Sequence, residues 1–183
     1  MSAATHRSDA PGDTAGGVLV IGYGNALRSD DGIGPRAAAS LAGDPRLAGV
    51  EVLALHQLTP ELALDMSRAS LVILVDASTD DAPGAIAVRR LATDEGAGRG
   101  GPGVTSGATS HHVGPGELLA VARELYGAAP EAFVVSVGVV DMETGEALSP
   151  AVAAALPGVA DAVVGLVATH RRTSAARGRR SPG

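Results

Sequence analysis

Val18-Leu-Val-Ile-Gly-Tyr-Gly-Asn-Ala-Leu-Arg-Ser-Asp-Asp-Gly-Ile-Gly34 is the stretch whose reading decides the fold. Its first four residues, Val18 to Ile21, are consecutive apolar β-formers and predict a strand buried on both faces, as in a parallel sheet. Gly22, Gly24 and Asn25 follow, residues that let a backbone turn sharply or run close to another group. Ser29 or Asp30 can then cap a helix that holds Pro35 and Arg36 in its first turns and continues through Ala37, Ala38, Ala39 and Leu41. Asp30 and Asp31 therefore sit where the first strand hands over to the first helix. That is the carboxyl edge of the sheet, where open α/β folds keep their ligands.

Downstream, Val50 to Leu55 reads as a second strand, and Thr59-Pro60-Glu61 opens a helix with Leu62, Leu64 and Met66 on its apolar side. Leu71 to Val75 is a third strand of five apolar residues that ends at Asp76, and Ala85 to Val88 is a short fourth at an edge. From Ala92 to Thr109 the chain is mostly Gly, Ala, Thr and Ser, a loop long enough to be functional or mobile. His111 and His112 close it. Pro115 opens a helix with Leu118, Leu119, Ala122, Leu125 and Tyr126 on one face. Phe133 to Val137 is the fifth strand. Ser149-Pro150 starts a last helix with an apolar stripe of Val152, Leu156, Val159, Val163 and Val167, which Pro157-Gly158 should kink or restart. This order predicts a single α/β domain over residues 17–170 with helices on both faces of a mostly parallel, twisted sheet. Residues 1–16 and the basic stretch 171–183 are expected to be disordered tails.

Composition narrows the chemistry. The 183 residues include no cysteine and no lysine, all 14 basic residues being arginine. Thiol nucleophiles, thiolate metal sites, Schiff-base lysines and Walker-type phosphate lysines are thereby excluded. Five arginines give the last thirteen residues +5, so a net charge of −6 leaves −11 on residues 1–170. An acidic body with few aromatics speaks against nucleic-acid binding. No apolar run looks long enough to span a bilayer, and the first residues resemble neither a signal nor a transit peptide, so a cytoplasmic protein is expected.

Asp31 and Asp76 follow parallel strands and so belong to one sheet edge, and His111, placed just before a helix, falls on that edge too. Two carboxylates and an imidazole form an O,O,N set suited to a borderline divalent metal with open positions. Each member also has a plainer role. A helix dipole favours an acid at position 31, Asp76 can close a turn, and adjacent histidines in an extended segment point opposite ways. Gly22-Tyr-Gly24 begins like a dinucleotide fingerprint, but Leu27 stands where its third glycine belongs, and no Gly-x-Ser-x-Gly occurs.

At Gly22-Tyr-Gly24-Asn25 and Asp30-Asp31-Gly32-Ile33-Gly34 the sequence resembles the [NiFe]-hydrogenase maturation proteases, endopeptidases that trim the C-terminus of the hydrogenase large subunit. His56-Gln-Leu-Thr-Pro-Glu-Leu62, Val75-Asp76-Ala77, Ser110-His111 ahead of Glu117-Leu118-Leu119, Val137-Gly138-Val139 and Leu148-Ser149-Pro150 extend the resemblance over residues 17–168. It implies a three-layer α/β/α fold of phosphorylase/hydrolase-like type with five strands. It also implies a metal-binding trio of Asp31, Asp76 and His111, with the two acids as catalytic candidates and Asp30 left as a cap. Gly22, Gly24, Asn25 and Gln57 are then expected to line the substrate cleft. The implied reaction is one cut in a large-subunit precursor after nickel loading, the nickel arriving with the substrate, with no organic cofactor, nucleic acid or membrane involved and the protein a monomer. A nickel-dependent checkpoint protein that binds without cutting is the alternative reading.

Overall fold

In the computed structural model, which describes residues 16–92, 113–128 and 130–178, five strands form one sheet in the order β2-β1-β3-β5-β4. The strands are β1 (Gly17–Tyr23), β2 (Val50–Leu55), β3 (Ala69–Ser78), β4 (Ile86–Arg90) and β5 (Glu131–Gly138). All neighbours are parallel except β4, which runs antiparallel to β5 at the sheet's edge. Four helices cover the two faces: α1 (Ile33–Leu41), α2 (Leu62–Arg68), α3 (Pro115–Tyr126) and α4 (Pro150–Gly178). The result is the expected mostly parallel α/β/α arrangement, and the alternating side chains of each strand divide the core in two. Val18, Val20, Leu71, Ile73 and Val75 pack with residues of α1 and α4, while Leu19, Ile21, Val72 and Leu74 pack with α2 and α3.

The crossing of α1 over β1 sets the geometry of the carboxyl edge. A Cβ placed on Gly22 would lie 2.0 Å from the carbonyl oxygen of Gly34, and one placed on Gly34 would lie 2.2 Å from that of Tyr23. Helix and strand thus touch backbone to backbone, which only glycine permits. Gly22 is buried beneath the helix and does not line a cleft, contrary to the sequence expectation. Gly22→Ala should therefore displace α1 and destabilise the protein by at least about 2 kcal/mol. A lowered urea midpoint with an unchanged slope would register this, and a wild-type midpoint would show that the crossing is slack.

Helix α4 departs from expectation in three ways. It is continuous through Pro157; the bond that proline forfeits would have gone to the carbonyl of Ala153, and both residues are exposed, so water can take that place. It runs on to Gly178, so residues 171–178 are helical and not a disordered tail; they include good helix formers, and Arg171 ties them back by donating to the carbonyl of Ala48 at 2.7 Å. By length and composition it is also apolar enough to cross a membrane, unlike the sequence reading. Its Val152, Ala155, Val159, Val163 and Val167 are buried against the sheet. On α3 the buried side is Leu118, Leu119 and Ala122, whereas Leu125 and Tyr126 are exposed and fall outside the expected apolar face.

At the amino edge His170 of α4 sits with Nε2 2.8 Å from Ser70 Oγ and Nδ1 3.4 Å from Glu131 Oε2. The serine hydroxyl donates to the Gly16 carbonyl at 2.6 Å. These contacts tie the C-terminal part of α4 to the starts of β3 and β5. The nearby groove of about 440 Å³, lined by Phe133, Leu166, His170 and Arg177 among others, lies at this edge too, away from both candidate acids.

Candidate active site

Between β1 and α1 the chain makes a tight 3₁₀ turn, Ser29–Gly32. Ser29 holds a left-handed backbone with φ +41°, uncommon for a residue with a side chain, and its neighbours hold it there. Its N–H donates to the carbonyl of Gly145 at 2.8 Å, and the N–H of Asp30 donates to that of Asp141 at 3.0 Å. Gly145 returns a bond to Leu27, and Arg28 Nε reaches the carbonyl of Met142 at 3.2 Å. The segment leaving β5 thus clamps the turn that leaves β1.

The two adjacent aspartates do different work. Asp30 is fully buried and caps no helix, since neither Ser29 nor Asp30 makes a side-chain cap here. Its carboxylate instead accepts the N–H groups of Val140, Asp141 and Ser149 at 3.1, 3.0 and 2.6 Å and the hydroxyl of Ser149 at 2.9 Å. Burial pushes its pKa up, but these donors outweigh burial and hold the carboxyl below its ordinary value. Asp31 is partly exposed at the same edge, its Oδ2 accepting the N–H of Asn25 at 2.9 Å.

Gly24 is essential to that placement. It has φ +139°, and a Cβ on it would lie 2.1 Å from the carbonyl oxygen of Asp31. Asn25 spends its side-chain carbonyl on the N–H of Leu27 at 2.9 Å, which leaves the amide nitrogen as its side-chain donor. Gln57 is exposed just past the end of β2, on the same edge.

Asp76 ends the buried run of β3, directly across from Ser136 of β5. Its Oδ1 accepts the N–H of Ala77 at 2.8 Å and its Oδ2 accepts the hydroxyl of Tyr23. Burial pushes its carboxyl up to about 6; the hydrogen bonds from Tyr23 and Ala77 oppose the rise, and the charge of Asp31 adds to it. Asp76 therefore feels the charge of Asp31. A carboxylate that titrates near neutrality, beside a second one, is equipped to take a proton from an attacking water. Tyr23 is driven well above its usual value by burial and by Asp76, so it stays a donor.

Tyr23 is the site residue that the sequence reading missed. Leu19, Ile21 and Tyr23 alternate onto the face that also holds Val72, Leu74 and Asp76, so period-two counting from Asp76 would have found it. Tyr23→Phe should slow any reaction that needs the Asp76 carboxylate by about tenfold and raise the pH at which it switches on. A rate and pH profile equal to wild type would remove Tyr23 from the site.

His111, the third expected ligand, lies outside the described residues, as do His112 and most of the Gly-rich loop. Among the described residues no three His, Asp or Glu side chains gather into a metal-binding cluster. Asp31 and Asp76, the two expected acids, both lie at the carboxyl edge.

No protein-family model and no curated protein sequence matches the chain. Solved structures do. A hydrogenase maturating endopeptidase, HybD from E. coli, superposes with a TM-score of 0.65 at 25% identity, covering 86% of this chain and 93% of its own. An endopeptidase from Escherichia coli solved in solution gives 0.61 at 25% identity, covering 80% and 89%. The [NiFe] hydrogenase maturation protease HybD from Thermococcus kodakarensis gives 0.61 at 21% identity, covering 82% and 98%, a likeness of fold.

Proposed function

We infer, for a chain that belongs to the [NiFe]-hydrogenase maturation protease family, that it cuts the C-terminal extension from a nickel-loaded hydrogenase large-subunit precursor. The observation that carries this reading is the Tyr23–Asp76 pair beside Asp31, at the carboxyl edge of a fold like that of the named endopeptidases. Peptide hydrolysis needs a base for the attacking water and a proton for the departing amine. Asp76, titrating near neutrality, takes the water proton and returns it to the amine nitrogen as the C–N bond breaks. The Asn25 amide nitrogen would donate to a peptide carbonyl, and Gln57 would bind substrate along the same edge.

Nickel enters as part of the substrate. Asp31, Asp76 and His111 are the groups that would read it, and a thiolate-free O,O,N set gains affinity when the precursor's own ligands complete the coordination. The decisive experiment incubates purified protein with nickel-loaded and nickel-free precursor and follows mass. One shortened chain, formed only from loaded precursor and absent with Asp31→Asn, is the expected result. A stable complex with no shortened chain would make the protein a checkpoint binder, and cutting that ignores nickel would dismiss the metal-reading role.

A further inference from the structure

The register of the sheet brings one more charged residue onto the acid-bearing face. Tyr23 follows the Gly22–Val75 pair, Asp76 lies opposite Ser136, and Ser136 lies opposite Ala87. These four positions form a row across β1, β3, β5 and β4. Arg89, opposite Val134, is the next position of β4 on the same face, about 7 Å toward the amino edge.

Three other arginines near the sheet are engaged. Arg90 pairs with Glu131 at 3.4 Å, Arg28 donates to the carbonyl of Met142, and Arg36 donates to that of Glu146. Arg89 is exposed and makes no ion pair or hydrogen bond among the described residues. A face with two carboxylates repels an anionic peptide everywhere except near such a cation. A guanidinium receives a carboxylate through two parallel N–H bonds, which fixes geometry as well as charge.

We propose that Arg89 is a specificity-determining residue that receives a carboxylate side chain of the precursor and so sets which peptide bond lies at Asp31 and Asp76. This rests on the endopeptidase reading above. A substrate acid seated there holds the chain at a fixed distance from the reacting carboxylates, so Arg89 acts on binding and register and not on the proton transfers.

The test measures kcat and KM on nickel-loaded precursor for wild type, Arg89→Ala and Arg89→Lys, and on precursors with each acidic residue near the cut changed to its amide. Arg89→Ala should raise KM about tenfold with kcat changed less than about threefold, and Arg89→Lys should fall between the two because it keeps the charge and loses the fork. One amide-substituted precursor should show the same rise with wild-type enzyme and no further rise with Arg89→Ala. An unchanged KM, a loss confined to kcat, or additive effects for every substrate acid would overturn the proposal while leaving the endopeptidase reading standing. Failure of the wild-type enzyme to cut any precursor would overturn that reading, and the Arg89 assignment with it.

Discussion

Asp30→Ala is expected to destabilise the protein by about 3–5 kcal/mol, because it removes a fully buried carboxylate that pairs donors from Val140, Asp141 and Ser149. For a domain of this size that corresponds to a melting temperature lower by roughly 6–20 °C. Asp30→Asn should fall between wild type and alanine, since an amide oxygen can keep some of the bonds while its NH2 faces donors. The pH dependence separates this from simple loss of packing. A carboxyl held below its ordinary value of 3.8 in the fold contributes stability above that value and loses it as the pH falls through the lower folded one. Wild type should therefore lose stability in acid more steeply than Asp30→Ala. Parallel acid-unfolding curves would mean that the buried carboxylate contributes nothing specific.

Asp76→Asn is expected to stop cleavage and stabilise the fold at the same time. Loss of the general base proposed above should cost at least about 10²-fold in rate. The stability effect has the opposite sign to that of Asp30. A carboxyl raised from 3.8 to about 6 by folding favours the neutral form, so its stabilising influence is full below 3.8 and fades as the pH rises through 6. At pH 8 the protein carries a buried carboxylate at a cost on the order of 2–3 kcal/mol, which the amide does not. An asparagine can still accept from Ala77 and bond the Tyr23 oxygen. Melting of chelator-treated protein should show Asp76→Asn several degrees above wild type at pH 8 and level with it near pH 4. A variant that is less stable at both pH values, or one that still cuts, would contradict the assignment.

The three aspartates of this edge show what the sequence made legible. Asp76 could be placed because an apolar run ended at it, and Asp31 because a strand, a glycine turn and a helix start followed in order. Both are local patterns with fixed periods. Asp30 could not be understood that way. Its partners lie 110 to 119 residues further along the chain, and no local pattern distinguishes a capping acid from a buried one. Gly22 was misread for a related reason. Its glycine requirement comes from Gly34 pressing on it from above, while a cleft-lining glycine carries the same letter. The last helix was cut short because arginines after residue 170 resemble a solvated tail; the bond from Arg171 to Ala48 that anchors them is again long-range.

The adjacency of Asp30 and Asp31 couples two properties that enzymes commonly keep apart. Many active sites sit on segments that open locally well before the rest of the molecule. Here Asp31, a candidate for the cleavage proposed above, is one peptide bond from the Asp30 carboxylate that joins the exits of β1 and β5, so its backbone stays in place until that joint opens. Heat should then abolish catalysis and tertiary structure in a single transition, with no temperature range in which a folded protein has already fallen silent.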